Sequence, residues 1–176
     1  TDAPPGIDLF AGAGGASLGL QQAGFDVRAA AEVDPTAAAR YARLVGIPPI
    51  VADIRTISGE EILRAARLSP EQCVLLTACA PCQGFSSQRR RGQGDGDPRN
   101  ELIHEAVWLT AVIRPAFVLW ENVPGFATGV GEATYRAAVT AMGDIGYVLN
   151  DEQVLDAADY GVPQRRRRLI VLFRRR

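Results

Sequence analysis

The run Ile7-Asp8-Leu9-Phe10-Ala11-Gly12-Ala13-Gly14-Gly15 restricts this chain more than any other stretch. A short apolar segment passes directly into glycines, and the helical pattern Ala16-Ser17-Leu18-Gly19-Leu20-Gln21-Gln22-Ala23 comes at once. Strand, glycine-rich turn and helix N-terminus, in that order, open a nucleotide-binding α/β unit. Glycine lets the backbone come close to a ligand, and the first helical turn offers free N–H groups. A tight strand-to-helix turn needs glycine too, so the residues after the helix must decide between the two.

Those residues place carboxylates at strand ends. Residues 25–33 read as a second strand, closing in Glu32-Val33-Asp34-Pro35. Glu32 lies where such folds hydrogen-bond a ribose, roughly 20 residues past the glycine turn. Asp34 suits the N-cap of an alanine-rich helix over residues 36–44, with Pro35 in its first turn. Pro48 and Pro49 break the chain before a third short strand, residues 50–52, which closes on Asp53. Asp53 reads either as a second ligand carboxylate, suited to an adenine amino group, or as a turn cap. Residues 58–68 form an amphipathic helix, with Ser58 and Glu61 spaced as a capping box.

The apolar run of residues 74–78 then opens into Cys79-Ala80-Pro81-Cys82-Gln83-Gly84-Phe85-Ser86. A buried strand that ends in such a loop presents a thiol at a sheet edge, where a nucleophile would sit. Only the thiolate is reactive, so other segments must lower the pKa of Cys82. Residues 86–98 are polar, rich in Gly, Arg and Asp, and without periodicity, which reads as a mobile loop able to close over a substrate. A helix over residues 101–113 carries His104, the single histidine, read as structural or exposed. A second fully apolar strand, residues 117–120, ends in Glu121-Asn122-Val123-Pro124-Gly125-Phe126. In a parallel sheet with crossover helices, the residues past the strand ends gather on one edge, which makes Cys82 and Glu121 neighbours. A helix over residues 133–145 leads to strands at residues 147–156 and 169–173, which are expected to pair antiparallel.

Composition narrows the class. A chain of 176 residues, 47% hydrophobic and 22% charged, fits one globular domain spanning residues 1–176, with a core that needs neither disulfides nor metal. No apolar run approaches the roughly 20 residues that span a bilayer, and no signal-peptide pattern is seen. The three cysteines sit together in one segment, which suits a reducing, cytoplasmic setting rather than a disulfide framework. With one distant histidine they form no recognisable zinc spacing, so no metal is expected. All 19 basic residues are arginine, clustered at residues 89–91, 165–168 and 174–176 of a chain whose net charge is -1. Arginine runs beside candidate site loops point to a phosphate-binding cleft in an otherwise acidic protein.

Taken together, Asp8 to Gly15, Glu32, Asp53-Ile54, Ala80-Pro81-Cys82-Gln83-Gly84-Phe85-Ser86, Glu121-Asn122-Val123 and Gln164 through Arg168 resemble, in order, the motifs of the cytosine-C5 methyltransferase family. The resemblance covers nearly the whole chain. It implies a Rossmann-like α/β fold, with a mostly parallel twisted sheet, an antiparallel terminal strand and helices on both faces. It also implies S-adenosylmethionine as cofactor and double-stranded DNA as substrate. Cys82 would be the thiolate that adds to cytosine C6. Glu121 would hold the N3 and N4 edge of the base, and Asn122 would shape that loop. Arg168 would face O2 of the base, and Arg166 would contact phosphate or loop. Phe10, Gly12, Gly14, Glu32, Asp53, Ile54 and Pro81 match positions around the cofactor. Gln83, Ser86, Arg99, Gln164 and Arg165 would touch DNA, whose target base must be flipped out.

The resemblance also implies a target-recognition region and a final conserved segment that these 176 residues do not include, so a second polypeptide is a candidate partner. Three other readings stay open: a cofactor-binding subunit without turnover, an RNA cytosine methyltransferase, and a thiol-disulfide oxidoreductase built on Cys79-Ala80-Pro81-Cys82. In the methyltransferase reading, Cys73 and Cys79 are small buried apolar residues.

Overall fold

A computed structural model describes residues 3–81 and 102–176. Among these residues the strands are β1 (Pro5–Leu9), β2 (Asp26–Glu32), β3 (Ile50–Val51), β4 (Leu75–Ala78), β5 (Phe117–Asn122), β6 (Tyr147–Asp156) and β7 (Arg167–Arg175). The helices are α1 (Gly15–Gln22), α2 (Pro35–Val45), α3 (Gly59–Ala66), α4 (Leu102–Ile113) and α5 (Glu132–Asp144). The strands form one sheet in the order β3-β2-β1-β4-β5-β7-β6. β1 to β5 are mutually parallel, and β7 is antiparallel to both β5 and β6. This is the mostly parallel α/β sheet with an antiparallel terminal strand that the sequence implies.

Local chemistry sets the helix ends. The Asp34 carboxylate accepts from the N–H groups of Thr36 and Ala37, Pro35 starts α2, and left-handed Gly46 ends it. Such a cap is worth about 1 kcal/mol. Ser58 and Glu61 form the expected reciprocal capping box at α3. Short 3-10 turns at Ile54–Thr56, Pro124–Phe126, Gly129–Gly131 and Ala157–Tyr160 lie beyond what periodicity foretold.

Side-chain alternation divides the sheet into two faces. On one, Ile7, Leu9, Leu76, Ala78, Val118, Trp120, Leu169, Val171 and Phe173 pack against α3, α4 and α5 as the main core. Trp120 tilts onto Phe173 across the β5–β7 pair with ring centroids 4.5 Å apart, a contact worth about 1 kcal/mol beyond its buried area. On the other face a smaller cluster of Ala11, Ala30, Tyr41 and Val45 seats α2, with Leu18 of α1 against it.

The position of β7 between β5 and β6 is the one feature of topology that the chain order does not suggest. Burial explains it. Leu169, Val171 and Phe173 alternate into the core, whereas Asn150 to Val154 of β6 are exposed. A strand that is polar along its middle belongs at a sheet edge, and the pairing also slips between Leu149 and Asp151, as edge strands often do.

Candidate active site

The carboxyl ends of β1, β2, β3, β4 and β5, with the start of β7, lie along one edge of the sheet. Every candidate site residue within the described residues is on that edge. Cys82, Gln83, Ser86 and Arg99 lie outside the described residues, as does the proposed closing loop over residues 86–98.

At the end of β1, Phe10 takes a left-handed backbone conformation with φ 57°. For a bulky residue this costs on the order of 1–3 kcal/mol and is held only where the surroundings impose it. Here the Ala11 N–H donates to the Ala31 carbonyl at 3.0 Å and the Cys79 N–H to the Leu9 carbonyl at 3.3 Å. These bonds hold the chain on both sides of the turn, and Phe10 forms part of the wall of a cleft. Gly12 and Gly14 come next with φ 54° and 99°. A Cβ on Gly14 would fall 2.6 Å from Val45 Cγ2, so only glycine fits this turn against α2.

Glu32 braces the same turn from β2. One carboxylate oxygen accepts from the Gly12 N–H at 2.7 Å, the other from the Asp34 N–H at 2.8 Å. A carboxylate offers about four acceptor sites, so Glu32 keeps capacity for two ribose hydroxyls while it fixes the glycine turn. Asp53 is the turn cap that was one of its two alternatives. It caps the turn at Ile54–Thr56 by accepting from the Arg55 N–H, and it also lines the cleft. The Arg55 guanidinium, 2.5 Å away, is the main reason that the Asp53 carboxyl is held down at about 2, with the Arg55 N–H adding to it.

The cleft has a volume of about 430 Å3, within the roughly 300–1,000 Å3 of small-molecule sites. Phe10, Glu32, Asp53, Ile54 and Pro81 all line it. Six wall residues escaped the sequence reading: Ala31, Val33, Ala52, Arg55, Cys79 and Leu102. Val33 is 62% exposed beside Glu32; a large aliphatic side chain left open at a strand end was the available signal. Cys79 corrects an expectation. Cys73 is fully buried and its thiol is pushed up to about 12 by that burial, but Cys79 is only half-buried and forms part of the cleft wall. Its neighbours along β4 point into the two packed faces, whereas Cys79 lies just past the last strand residue and escapes that alternation.

Under the glycine turn lies a buried polar chain that the motifs did not reveal either. Asp8 is fully buried, and its two oxygens accept from Ser17 Oγ at 2.6 Å and Thr77 Oγ1 at 2.7 Å. Ser17 Oγ is in turn 2.7 Å from the Tyr41 hydroxyl. Burial pushes the Asp8 carboxyl above its ordinary range, against the pull of the Ser17 and Thr77 hydroxyls, and pushes Tyr41 up to about 12. The chain ties the first turn of α1 to β1, β4 and α2. An acidic residue inside the apolar run Ile7 to Phe10 was its sequence signal.

Beyond the cleft, Asn122 is buried at the end of β5. Its Nδ2 donates to the Ala80 carbonyl at 3.4 Å, and its Oδ1 accepts from the Val123 N–H at 2.8 Å. This joins the exit of β4, two residues before Cys82, to the exit of β5. On the opposite face of β5, Glu121 Oε1 meets Arg168 Nε at 2.8 Å and Arg166 Nη2 at 3.8 Å. Asp156 positions Arg166 by accepting from its backbone N–H at 2.9 Å. Gln164 and Arg165 are exposed on the β6–β7 connection. His104 is half-buried on α4 and does not line the cleft.

This geometry has relatives among known proteins. A family model described as C-5 cytosine-specific DNA methylase matches residues 5–176. The type II methyltransferase M.XorII of Xanthomonas oryzae pv. oryzae is 40% identical over 175 residues, 98% of this chain and 41% of the relative. M.AquIA of Picosynechococcus, also a type II methyltransferase, is 34% identical over 96% of this chain and 71% of its own length. A solved structure of an E. coli prophage protein assigned as a DNA modification methyltransferase superposes with a TM-score of 0.83 at 31% identity, covering 98% of this chain and 47% of that one. The chain thus spans between 41% and 71% of the length of these relatives.

Proposed function

The chain belongs to the C-5 cytosine-specific DNA methylase family, and on that premise we propose that it transfers a methyl group from S-adenosylmethionine to C5 of a flipped-out cytosine in DNA. One observation carries the reading. A cleft with an aromatic wall and two carboxylates lies on the same sheet edge as a carboxylate–arginine pair, and Asn122 ties the two strand exits between them. The residues fit the cofactor. Phe10, Val33 and Ile54 offer apolar surface for adenine, Glu32 has free acceptor capacity for the ribose, and the glycine turn admits a close backbone approach. When bound, S-adenosylmethionine supplies an electrophilic sulfonium methyl group.

The residues of the chain would act on the base. Cys82, as thiolate, adds to C6 and makes C5 nucleophilic. Glu121 takes the N3–N4 edge while Arg168 holds its Oε1, so the carboxylate is oriented before the base arrives. Arg168, in turn, places a fixed positive charge near the O2 side of the ring, where negative charge develops as the thiolate adds. The Asn122–Ala80 link fixes Pro81, and with it the origin of the Cys82 loop, relative to Glu121. After transfer a base removes the C5 proton and the thiolate is expelled. This chemistry reaches only an unstacked cytosine. Base-edge readout needs an element that fills a groove, and we assign that task to residues outside those described.

The test is mass spectrometry of nucleosides after incubation with S-adenosylmethionine and either a mixed-sequence duplex or an RNA of the same sequence. The reading predicts 5-methyldeoxycytidine from the duplex, lost in Cys82→Ser. Methylation of the RNA alone, or product that persists in Cys82→Ser, would contradict it.

A further inference from the structure

The connection between β6 and β7, residues 157–166, stands out from the sheet edge beside Glu121 and Arg168. Tyr160 at its tip is 68% exposed and Val162 46% exposed. A lone exposed apolar residue means little. This one sits on a connection built to hold its shape. At the neck, the Asp156 carboxylate accepts from the N–H groups of both Ala158 and Arg166, and the Ala157 N–H donates to the Arg166 carbonyl at 3.0 Å. Within the tip, the Gly161 and Val162 N–H groups donate to the Ala158 and Ala157 carbonyls, with Gly161 left-handed at φ 82°. An aromatic ring is therefore presented to solvent on a preorganised turn, its backbone already ordered before any partner arrives.

Charge decides which partner fits. Four consecutive arginines, Arg165 to Arg168, come a few residues after the tip. Arg168 and, at longer range, Arg166 meet Glu121, while Arg165, Arg166 and Arg167 are all exposed. Four like charges in a row, with Glu121 as their one ion-pair partner among the described residues, suit a polyanion, and an aromatic platform beside a row of guanidiniums matches a nucleic-acid strand, whose bases offer π-faces and whose backbone offers phosphates. Resting on the DNA reading above, we propose that the Tyr160 turn is a nucleic-acid contact in which the Tyr160 ring stacks on a base exposed at the opened target site, with Arg165 on a flanking phosphate. Stacking and phosphate contact differ in their response to salt, and this makes the roles separable.

The experiment measures affinity of the full chain for a fluorescein-labelled mixed-sequence duplex with one mismatched cytosine, by anisotropy over a range of salt concentrations. Tyr160→Ala is expected to weaken binding roughly tenfold with the salt slope unchanged, and Tyr160→Phe to bind like the parent protein. Arg165→Ala is expected to lower the slope by about one. If Tyr160→Ala binds like the parent while Arg165→Ala weakens, DNA binding stands and the stacking contact is refuted. Equal losses in Tyr160→Ala and Tyr160→Phe would assign the contact to the hydroxyl and overturn stacking. A shift in sedimentation with unchanged duplex affinity would assign the tip to a protein partner and overturn the proposal. No duplex binding by the parent protein would overturn this proposal together with the DNA reading. Thermal melts of each variant check that the exposed substitutions leave the fold intact.

Discussion

Alanine placed at Gly14 and at Gly12 should separate a packing requirement from a purely conformational one. Both glycines have positive φ, 99° and 54°, and an L-residue there costs about 1–2 kcal/mol. A Cβ at Gly12 meets nothing within 4 Å, whereas at Gly14 it would be 2.6 Å from Val45 Cγ2 and 3.2 Å from Tyr41 Cδ2. Neither neighbour has room to retreat. Tyr41 is fully buried with its hydroxyl on Ser17, and Val45 is the last residue of α2 before left-handed Gly46. Overpacking of this kind adds about 1–3 kcal/mol. Gly12→Ala should therefore lose about 1–2 kcal/mol and Gly14→Ala about 2–5 kcal/mol, adding the strain and overpacking ranges. At roughly 2–4 °C per kcal/mol for a chain of this size, Gly14→Ala should melt clearly below Gly12→Ala. Thermal and urea unfolding of the full chain reads this directly. Equal losses, or a greater loss at Gly12, would refute the placement of α2 beneath the turn.

Three further outcomes rest on the same contacts. Asn122→Ala removes the link to the Ala80 carbonyl and leaves the Val123 N–H without its acceptor, so unfolding should be easier by about 1–3 kcal/mol; an unchanged denaturant midpoint would dispose of the clamp. Asp8 should make stability fall as pH rises. Its folded-state pKa is raised by burial, so above the ordinary value of about 3.9 the unfolded chain releases a proton that the folded chain retains. Asp8→Asn should flatten the urea midpoint upward from about pH 4, and a slope that survives the substitution would contradict this. Arg168→Ala removes a guanidinium from a pair that is about a quarter exposed on each side, so stability should fall by about 1–3 kcal/mol. Methyl transfer at saturating cofactor should fall by about 10²–10³, and near-normal turnover would remove Arg168 from the chemistry.

What the sequence made legible was the edge on which the candidate site residues gather. Parallel strands announce themselves as apolar runs, and their ends are marked where glycine, glutamate, aspartate or cysteine interrupts them, so Gly12, Glu32, Asp53 and Glu121 could be assigned to one edge from pattern alone. The double duty of Glu32 was not legible, because a bond to the Gly12 N–H depends on how closely β2 lies beside the turn. The Asp8–Ser17–Tyr41 chain was hidden for the same reason. It joins residues 9 and 24 positions apart in sequence through helix packing, which no local pattern encodes. The antiparallel pairing of β6 and β7 came from their order, but the insertion of β7 against β5 comes from their contrast in polarity. The exposed run Asn150-Asp151-Glu152-Gln153 of β6 carried that information as an edge-strand signature.

The central claim, that Cys82 attacks a cytosine presented to Glu121 and Arg168, is tested most directly by covalent trapping. The full chain is incubated with S-adenosylmethionine and a mixed-sequence duplex carrying 5-fluorocytosine, then denatured and weighed by mass spectrometry. Fluorine at C5 cannot leave as a proton does, so the thiolate should remain bonded to C6. The account predicts a protein–DNA adduct that maps to Cys82, weakens in Arg168→Ala and is absent in Cys82→Ser. An adduct at another residue, or none from folded chain that binds both cofactor and duplex, would contradict it.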